Sequence, residues 1–594
     1  MALAIALLVL IQSCGGFSSK ERPARGTYSE AQRWEELANT STGQQRAVYQ
    51  LSAAEAWYGG LEIERALFTL LNIDTVFLPD NELVDHSLLL AEVLQLQGRH
   101  QDALIALREP VLQKRIGNAT IKRQTLWAER LGNLHLTLEE YELAARHFDY
   151  GLSIARDRTN LRQMREGLWT SLIRVKELPQ APYQSSEMAG WIALAEINNE
   201  SAGTLDDQLK SFQNWRRIYI NHPAATSPPE SIAVLTSLAT ETPPKVALLL
   251  PLSGNLASAG NAVLEGYLAT VVANKSKDPL SPAEVMVFDT NAQSMSGILR
   301  ELRAAQVDLV VGPLQKEKVS AFTLLADPEM RALTLNSIEE DTLGNKKLIL
   351  GLALDIENEA RQAATAALRD GHVKALALVP DNNSGDRASS AFANSWAEQN
   401  GVLAGIDRFQ SEDTYADILE SRLHIKQSVS RMSELRRLLA VNLEFNPRRR
   451  EDIDALFLTA STEQARQIKP MLAFFFADDI PVYSTSSVFD GQQNNKANQD
   501  LDGIKFSTIP WLVRESEIHN MLNKGSNNSG ALKKLQAMGV DAYYLSQRIP
   551  QFIVAGNAVY HGVLGNLSLN VGERNLDRQQ VWAEFDQGSV RVTE

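Results

Sequence analysis

The sequence is poor in cysteine, in basic residues and in clustered histidines, and each shortage excludes a class of function. Its 594 residues include one cysteine, Cys14, so neither an intramolecular disulfide nor a cysteine-ligated metal cluster can form. The nine histidines are scattered, without a pair at ligand spacing, so no metal site is expected. Acidic residues outnumber basic ones, 72 to 58, for a net charge of −14. Because phosphate binding requires a basic surface, this charge argues against a nucleic-acid partner.

Catalytic motifs are also missing. The stretch GNLASAG (254–260) lacks the Lys-Ser/Thr ending of a phosphate-binding loop and the spacing of G-x-G-x-x-G. Ser258 is not in a nucleophile elbow, because Leu256 occupies the position of the first glycine. No pair of carboxylates stands out as a general acid and base. The sequence therefore predicts a protein that is not an enzyme and needs no cofactor, and an envelope hydrolase is the weakest interpretation.

The N-terminus has the pattern of an export signal. Residues 2–11 are continuously apolar, which is too short for a membrane-spanning helix of about 20 residues but typical of a secretory signal peptide. We predict a signal peptide over residues 1–13. No Lys or Arg follows Met1, which suggests that the true start lies upstream.

The residues that follow resemble a bacterial lipobox. Ile11, Gln12, Ser13 and Cys14 give an apolar residue, a variable position, a small residue and a cysteine, although Gln12 is unusual there. The resemblance implies that Cys14 carries lipid, including palmitate, and becomes the mature N-terminus, and Gly15 implies an outer-membrane destination. A plain signal peptide and an N-terminal core segment remain alternatives. Residues 14–29 are polar and predict a flexible tether.

The next segment, residues 30–240, repeats a helical pattern. Ala-Glu pairs recur at 37-residue spacing, and each is followed by a second small residue, which predicts a close-packed pair of helices. The pairs begin at Ala54, Ala91 and Ala128, and the second small residues are Ala66, Ala103 and Ala144. The period resembles that of tetratricopeptide repeats, which stack because one helix pair cannot bury its apolar stripe. An irregular helical bundle is the alternative.

After the proline-rich TETPPK (240–245), the pattern changes to alternating apolar runs and amphipathic helices over residues 243–594. This alternation predicts a parallel sheet covered on both faces. Two successive sets of strands and helices indicate an α/β domain of two lobes with a cleft. The apolar runs lie at 246–252, 284–290, 307–314, 330–337, 373–380, 401–409, 452–460 and 480–486.

Two stretches of this domain resemble known proteins. PKVALLLPLSGNLASAGNAVLEGY (244–267) and VDLVVGPL (307–314) resemble type I periplasmic binding proteins, such as branched-chain amino acid receptors. The lipobox, the tetratricopeptide-like segment and this domain, in that order, resemble the LpoA family of lipoprotein activators of class A penicillin-binding proteins. NPRRREDIDALFLTAS (446–461) is also typical of that family.

The resemblance implies a regulator anchored in the outer membrane on its periplasmic side. Such a protein reaches through peptidoglycan, a second candidate contact, to a bifunctional synthase and stimulates its transpeptidase activity. The alternative is a solute-binding lipoprotein, a receptor for amino acids or muropeptides that feeds a transporter. The repeat segment argues against this alternative, because transport receptors of this fold usually lack one.

Two groups of residues are candidate sites. Ser253, Gly254 and Ser258 lie in the first strand-to-helix loop, where α/β sheets bind ligands and a helix start favours anions; simple loop capping is the alternative. Arg448, Arg449 and Arg450 are a candidate contact for an acidic partner, unless they pair with the neighbouring acidic residues. Residues 425–444 predict a helix inserted at the lobe surface, where partner-specific function is common.

Overall fold

The computed structural model describes residues 27–175, 177–199, 204–238, 244–275, 277–278, 281–410, 412–439, 444–492, 494–523, 528, 530–569 and 572–593. Cys14, Gly15, the predicted signal peptide and most of the predicted tether lie outside this range. By contacts between residues, the chain divides into two compact units, 1–195 and 196–594.

The described part of the first unit is helical. Its helices are α1 (Thr27–Asn39), α2 (Gly43–Gly59), α3 (Ile63–Leu71), α4 (Asp80–Leu96), α5 (His100–Leu107), α6 (Pro110–Arg115), α7 (Ile121–Thr137), α8 (Tyr141–Ile154), α9 (Arg158–Leu172) and α10 (Met188–Asn199), and α10 crosses into the second unit.

The repeat predicted from alanine spacing is present as three helix pairs, α2–α3, α4–α5 and α7–α8. The six alanines that define the repeat are all fully buried. Small side chains let paired helices approach closely, so these positions set the seam of each pair. The helical-repeat architecture predicted for this part of the chain is confirmed.

Polar side chains join successive repeats at the same spacing. Glu92 on α4 accepts a hydrogen bond from the hydroxyl of Tyr58 on α2 at 2.6 Å and forms an ion pair with Arg130 on α7 at 3.2 Å. Arg123 binds both carboxylate oxygens of Asp85, at 2.9 and 2.7 Å. These contacts span 34 to 38 residues, about one repeat, and so fix the stacking register.

The second unit is an α/β structure preceded by short helices. Its helices are α11 (Leu205–Ile218), α12 (Pro223–Thr226), α13 (Glu230–Leu238), α14 (Ala257–Asn274), α15 (Met295–Ala305), α16 (Lys316–Leu325), α17 (Glu340–Leu343), α18 (Ile356–Arg369), α19 (Asn383–Glu398), α20 (Glu412–Arg422), α21 (Ile425–Leu439), α22 (Thr462–Phe474), α23 (Asn495–Asn498), α24 (Pro510–Val513), α25 (Glu517–Asn523), α26 (Gly530–Ser546) and α27 (Ile549–Ala555). Its strands are β1 (Lys245–Leu250), β2 (Glu284–Asp289), β3 (Leu309–Val311), β4 (Arg331–Thr334), β5 (Ile349–Gly351), β6 (Lys374–Pro380), β7 (Val402–Phe409), β8 (Ala455–Leu458), β9 (Val482–Ser484), β10 (Ile504–Thr508), β11 (Val559–Gly562), β12 (Gly565–Leu569), β13 (Leu576–Gln579), β14 (Val581–Asp586) and β15 (Ser589–Val592).

The strands form two lobes and a small third sheet. The first lobe has a parallel sheet of order β2-β1-β3-β4-β5, and the second lobe has a sheet of order β15-β14-β10-β9-β8-β6-β7. In the second sheet, β14 is antiparallel to both of its neighbours, β10 and β15. The strands β11, β12 and β13 form a separate antiparallel sheet. The two-lobed α/β fold predicted from the alternating pattern is confirmed, and each of the eight predicted apolar runs contains a strand.

The helices α11 to α13 belong by contacts to the second unit. Arg548 donates to Gln208 Oε1 at 2.6 Å, and Gln551 donates to the carbonyl of Ser231 at 3.1 Å. The domain limits drawn from the sequence, 30–240 and 243–594, stay predictions. The predicted helix 425–444 ends at Leu439 among the described residues.

A glycine contact joins α14 and α26. A Cβ atom on Gly266 would lie 2.0 Å from the carbonyl oxygen of Gln536, and one on Gly539 would lie 2.1 Å from that of Val263. The helical segment 254–274 is long and apolar enough to cross a membrane, judged by its length and composition alone. Val263 and Tyr267 of this helix are buried beside β1 and α26, so packing within the lobe accounts for part of its apolar character, while Leu268 and Val272 are exposed.

Candidate functional site

The predicted loop site, Ser253, Gly254 and Ser258, lies at the carboxyl end of β1, and its residues are exposed. Asp289, at the end of β2, accepts the N–H of Leu252 at 3.0 Å, and the Asn291 amide donates to the carbonyl of Ser253 at 2.6 Å. Hydrogen bonds from the Ser253 hydroxyl and from backbone N–H groups lower the pKa of Asp289. An ionised carboxylate next to Ser253 disfavours an anionic ligand here. Ligand binding by this loop stays a prediction.

A second polar cluster, which the sequence did not predict, lies between secondary-structure elements of both lobes; four of its five residues are buried, and its lysine is partly buried. We call Glu359, Ser486, Lys534, Arg578 and Gln580 the buried ion cluster. Glu359 accepts the N–H of Ser486 at 2.9 Å and its hydroxyl at 2.8 Å. It also accepts from Arg578 at 3.3 Å and from the Gln580 amide at 3.2 Å. The Lys534 amine donates to Ser486 Oγ at 2.6 Å.

The members of the buried ion cluster come from different elements of the second unit. Glu359 is on α18, which packs in the core of the seven-stranded sheet, and Ser486 follows β9 of that sheet. Lys534 is on α26, whose apolar residues pack against the five-stranded sheet, and Arg578 is on β13. The cluster therefore ties the second lobe to α26 and β13.

Charge pairing decides the ionisation of the cluster. Burial alone would raise the pKa of Glu359, but the charges of Lys534 and Arg578 and the hydrogen bonds from Ser486 outweigh it and lower the pKa. Burial lowers the pKa of Lys534, against the attraction of Glu359. A buried carboxylate with two cationic neighbours satisfies the requirement that buried charges be paired.

The Ser486–Lys534 contact has the geometry of an activated serine nucleophile. However, Ser486 is only 2% exposed, and its hydroxyl also contacts both carboxylate oxygens of Glu359. A substrate has no access to this oxygen in the structure. The arrangement is that of a structural tie between elements, and no group of metal-ligand side chains occurs in the part of the chain that is described.

The arginine cluster at 448–450 is largely engaged within the chain. Arg449 donates to the carbonyl of Phe476 at 2.9 Å and to Asp479 at 2.5 Å. Arg450 binds both carboxylate oxygens of Asp452 at 2.6 Å, which holds the pKa of Asp452 well below its usual value. Arg448 is exposed. The pairing of Arg450 with Asp452 agrees with the alternative interpretation of a loop that satisfies its own charges.

These observations define the class of protein: a unit of helical repeats followed by a two-lobed α/β unit. A family model described as "LppC putative lipoprotein" matches residues 27–588, and the chain belongs to this lipoprotein family. The family predicted from the sequence is confirmed.

Relatives in the family share most of the chain. A protein of Photobacterium profundum named "Penicillin-binding protein activator LpoA" is 28% identical over 92% of this chain and 83% of its own. One of the same name from Aliivibrio fischeri is 30% identical over 70% of this chain and 69% of its own. The crystal structure of full-length LpoA from Haemophilus influenzae matches with a TM-score of 0.52 at 21% identity, over 97% of this chain and 99% of that one. This last likeness shows a common fold.

Signals for the buried ion cluster exist in the sequence but are weak. Glu359 precedes Ala363 by one helical turn and lies on the same buried stripe of α18, where a carboxylate is unexpected. Arg578 follows Leu576 by two residues and so shares the buried face of β13. Each signal marks one residue, and neither identifies the partners, which lie up to 221 residues away.

Proposed function

We propose that this chain is a non-enzymatic regulator that binds a class A penicillin-binding protein and stimulates its transpeptidase activity. The observation that carries the proposal is the relationship, over 92% of the chain, to a protein named as a penicillin-binding protein activator. The fold supports it, because a helical repeat unit and a two-lobed α/β unit are both common as binding modules. The burial of Ser486 and its bonds to Glu359 also favour a binding role over catalysis.

Membrane attachment is the second part of the proposal. We infer that Cys14 is lipidated and that residues 14–29 tether the folded chain to the periplasmic face of the outer membrane, with peptidoglycan as a further contact. Membership of a lipoprotein family supports this, as does the lipobox-like tetrad that ends at Cys14. Stable anchoring requires more than one acyl chain, which a lipidated N-terminal cysteine would carry.

Activation is tested with the soluble chain from residue 15, added to a purified class A penicillin-binding protein. Binding is measured by pull-down, cross-linking by analysis of the muropeptides formed, and glycan polymerisation separately with the transpeptidase blocked by penicillin. We expect binding and a rise in the cross-linked fraction. A type I solute receptor without the helical repeats is the control.

The solute-receptor alternative is tested in the same preparation by thermal shift. Amino acids and muropeptides would raise the melting temperature of a receptor by mass action. We expect no shift. A ligand-dependent shift, with no binding to the synthase and unchanged cross-linking, would replace the regulator by the receptor.

The anchor is tested by Cys14→Ser, with Ser18→Ala as the matched control outside the tetrad. We expect Cys14→Ser to abolish palmitate labelling and to release the chain from the outer-membrane fraction, while Ser18→Ala stays bound. Retention of Cys14→Ser in the membrane would contradict the lipid anchor without affecting the activation experiment.

A further inference from the structure

The helix α21 (Ile425–Leu439) is buried at its beginning and exposed at its end. Ile425 and Ser428 are buried, and the carbonyl of Leu423, just before the helix, accepts the N–H of Arg450 at 2.9 Å. From Arg431 to Leu439 all residues except Met432 are exposed. The structure therefore holds the base of the helix firmly and leaves its last two turns open to solvent.

An apolar stripe continues along the exposed turns. Val429, Met432, Leu435 and Leu439 follow Ile425 at spacings of three and four residues, which places them on one face of the helix. Leu435 and Leu439 are 47% and 57% exposed. A stripe that begins in the core and runs on into solvent is not needed for packing of the chain itself. The spacing of Met432, Leu435 and Leu439 is that of anchors for an amphipathic helix lying in a groove.

The exposed turns are also basic, in contrast to the rest of the chain. Residues 425–439 contain four basic residues and one acidic residue, whereas the whole chain has a net charge of −14. Lys426 is neutralised by Asp417 and Glu420. Arg431 and Arg437 are exposed and form no ion pair with the described residues. Since arginines left unpaired beside exposed leucines favour an anionic surface, the complementary partner is acidic.

The observations favour a protein groove over a lipid surface. Helices that bind membranes present a full apolar face along their length, whereas the first turn of this stripe, at Ile425, is part of the lobe core. The few remaining apolar side chains suit a small groove. The strongly negative chain also opposes approach to anionic lipid.

We infer that Arg431–Leu439 is a docking helix. Met432, Leu435 and Leu439 enter an apolar groove on the partner, and Arg431 and Arg437 face carboxylates at its edge. The inference rests on the proposed function, in which the partner is the class A penicillin-binding protein.

The experiment compares two double variants of the soluble chain from residue 15. Leu435→Gln with Leu439→Gln removes the apolar anchors, and Arg431→Gln with Arg437→Gln removes the charges. The matched controls are Leu324→Gln and Arg300→Gln, at exposed positions on helices of the other lobe. The affinity for the purified synthase is measured at low and high salt, and circular dichroism checks that each variant is folded.

We expect the leucine variant to lose at least about tenfold in affinity at both salt concentrations, because buried interface anchors carry most of the binding energy. The arginine variant should lose affinity chiefly at low salt, because its contacts are screened. Both controls should bind like the parent chain.

The outcomes separate the inference from the proposed function. If the parent chain binds and both double variants bind within about twofold of it, the docking helix is wrong and the regulator proposal stands. If the parent chain binds no synthase, the regulator proposal fails and the docking helix falls with it. The parent chain and the double variants are also mixed with vesicles that contain anionic lipid. If the parent chain binds the vesicles and the double variants do not, while all of them still bind the synthase, α21 is a membrane helix and the inference is overturned.

Discussion

At the scale of single residues, one aromatic ring fixes the spacing of three helices in the first unit. Phe148 on α8 is fully buried, and a Cβ atom on Gly132 of α7 would lie 2.6 Å from its ring, while one on Gly167 of α9 would lie 2.4 Å away. Glycine normally weakens a helix, so two of them facing one ring indicate that the ring needs the space. The backbone of both neighbouring helices therefore packs directly on Phe148.

We predict that Gly132→Ala lowers the free energy of unfolding by roughly 1–3 kcal/mol, because the new methyl group overpacks the core. Gly59→Ala, where no atom lies within 4 Å of the added Cβ, is the control and should be neutral or slightly stabilising. Urea denaturation measures both. Combining Gly132→Ala with Phe148→Leu should recover part of the loss, and a fully additive double variant would show that the ring is not the obstacle.

A second residue-scale prediction concerns the buried ion cluster. Glu359→Gln removes the carboxylate that the buried Arg578 and the partly buried Lys534 share, which should cost about 3–5 kcal/mol of unfolding free energy. Glu357→Gln, two residues earlier on the same helix, removes an ion pair with Arg387 whose side chains are 27% and 48% exposed and should cost about 0–1 kcal/mol. Urea denaturation measures the free energy of unfolding of both variants. Equal losses would show that the buried ion cluster does not hold these elements together.

At the scale of elements, the approach of α14 to α26 depends on glycine at the crossing point. Gly539→Ala would place its methyl group 2.1 Å from the carbonyl oxygen of Val263 and 2.8 Å from the N of Tyr267, and backbone atoms cannot move aside as a flexible side chain can. We predict that hydrogen exchange speeds up in both helices. Gly297→Ala on α15, whose new methyl would lie 3.2 Å from the Ser294 hydroxyl, should leave exchange in α14 and α26 unchanged. Protection of α14 and α26 like that of the parent would contradict the close contact.

The elements that the sequence predicted are those with a strong local pattern. Strands such as β1 and β6 are short continuous apolar runs buried on both faces, and their alternation with amphipathic helices identifies them as strands. The strands β5 and β10 to β15 were not predicted. Of these, β11, β13 and β15 have four residues each, too few for a pattern that differs from that of a loop. The buried ion cluster was not predicted for another reason. Its residues are far apart in the sequence and come into contact only in the folded chain, as the bonds among Glu359, Ser486, Lys534 and Arg578 show.

At the scale of the whole molecule, the two units have buried groups that respond to pH in opposite directions. In the first unit, burial lowers the pKa of His147 to about 4, and the neighbouring charges of His135 and Arg108 act in the same direction. In the second unit, burial raises the pKa of Asp541 to about 7, against hydrogen bonds from the N–H groups of Val563 and Leu564.

The direction in which stability changes with pH depends on whether the folded or the unfolded chain binds the proton. Between pH 4 and 6.5 the unfolded chain protonates His147 and the native chain does not. The contribution of His147 to the stability of the folded chain is therefore fully present above pH 6.5 and is lost as the pH falls towards 4. Between pH 3.8 and 7 the native chain keeps a proton on Asp541 that the unfolded chain has lost. The contribution of Asp541 to the stability of the folded chain is therefore fully present below pH 3.8 and is lost as the pH rises towards 7.

We therefore predict that acidification from pH 7 to 4 weakens the protection of α8 through His147 and strengthens that of α26 through Asp541. Hydrogen exchange by peptide, corrected for the intrinsic rate at each pH, measures both in one chain. His147→Phe should flatten the pH dependence of α8 alone, and Asp541→Asn that of α26 alone, so each variant is the control for the other. If either substitution changed only the overall protection and left the slope with pH as in the parent, the buried group would not be the source of the pH response.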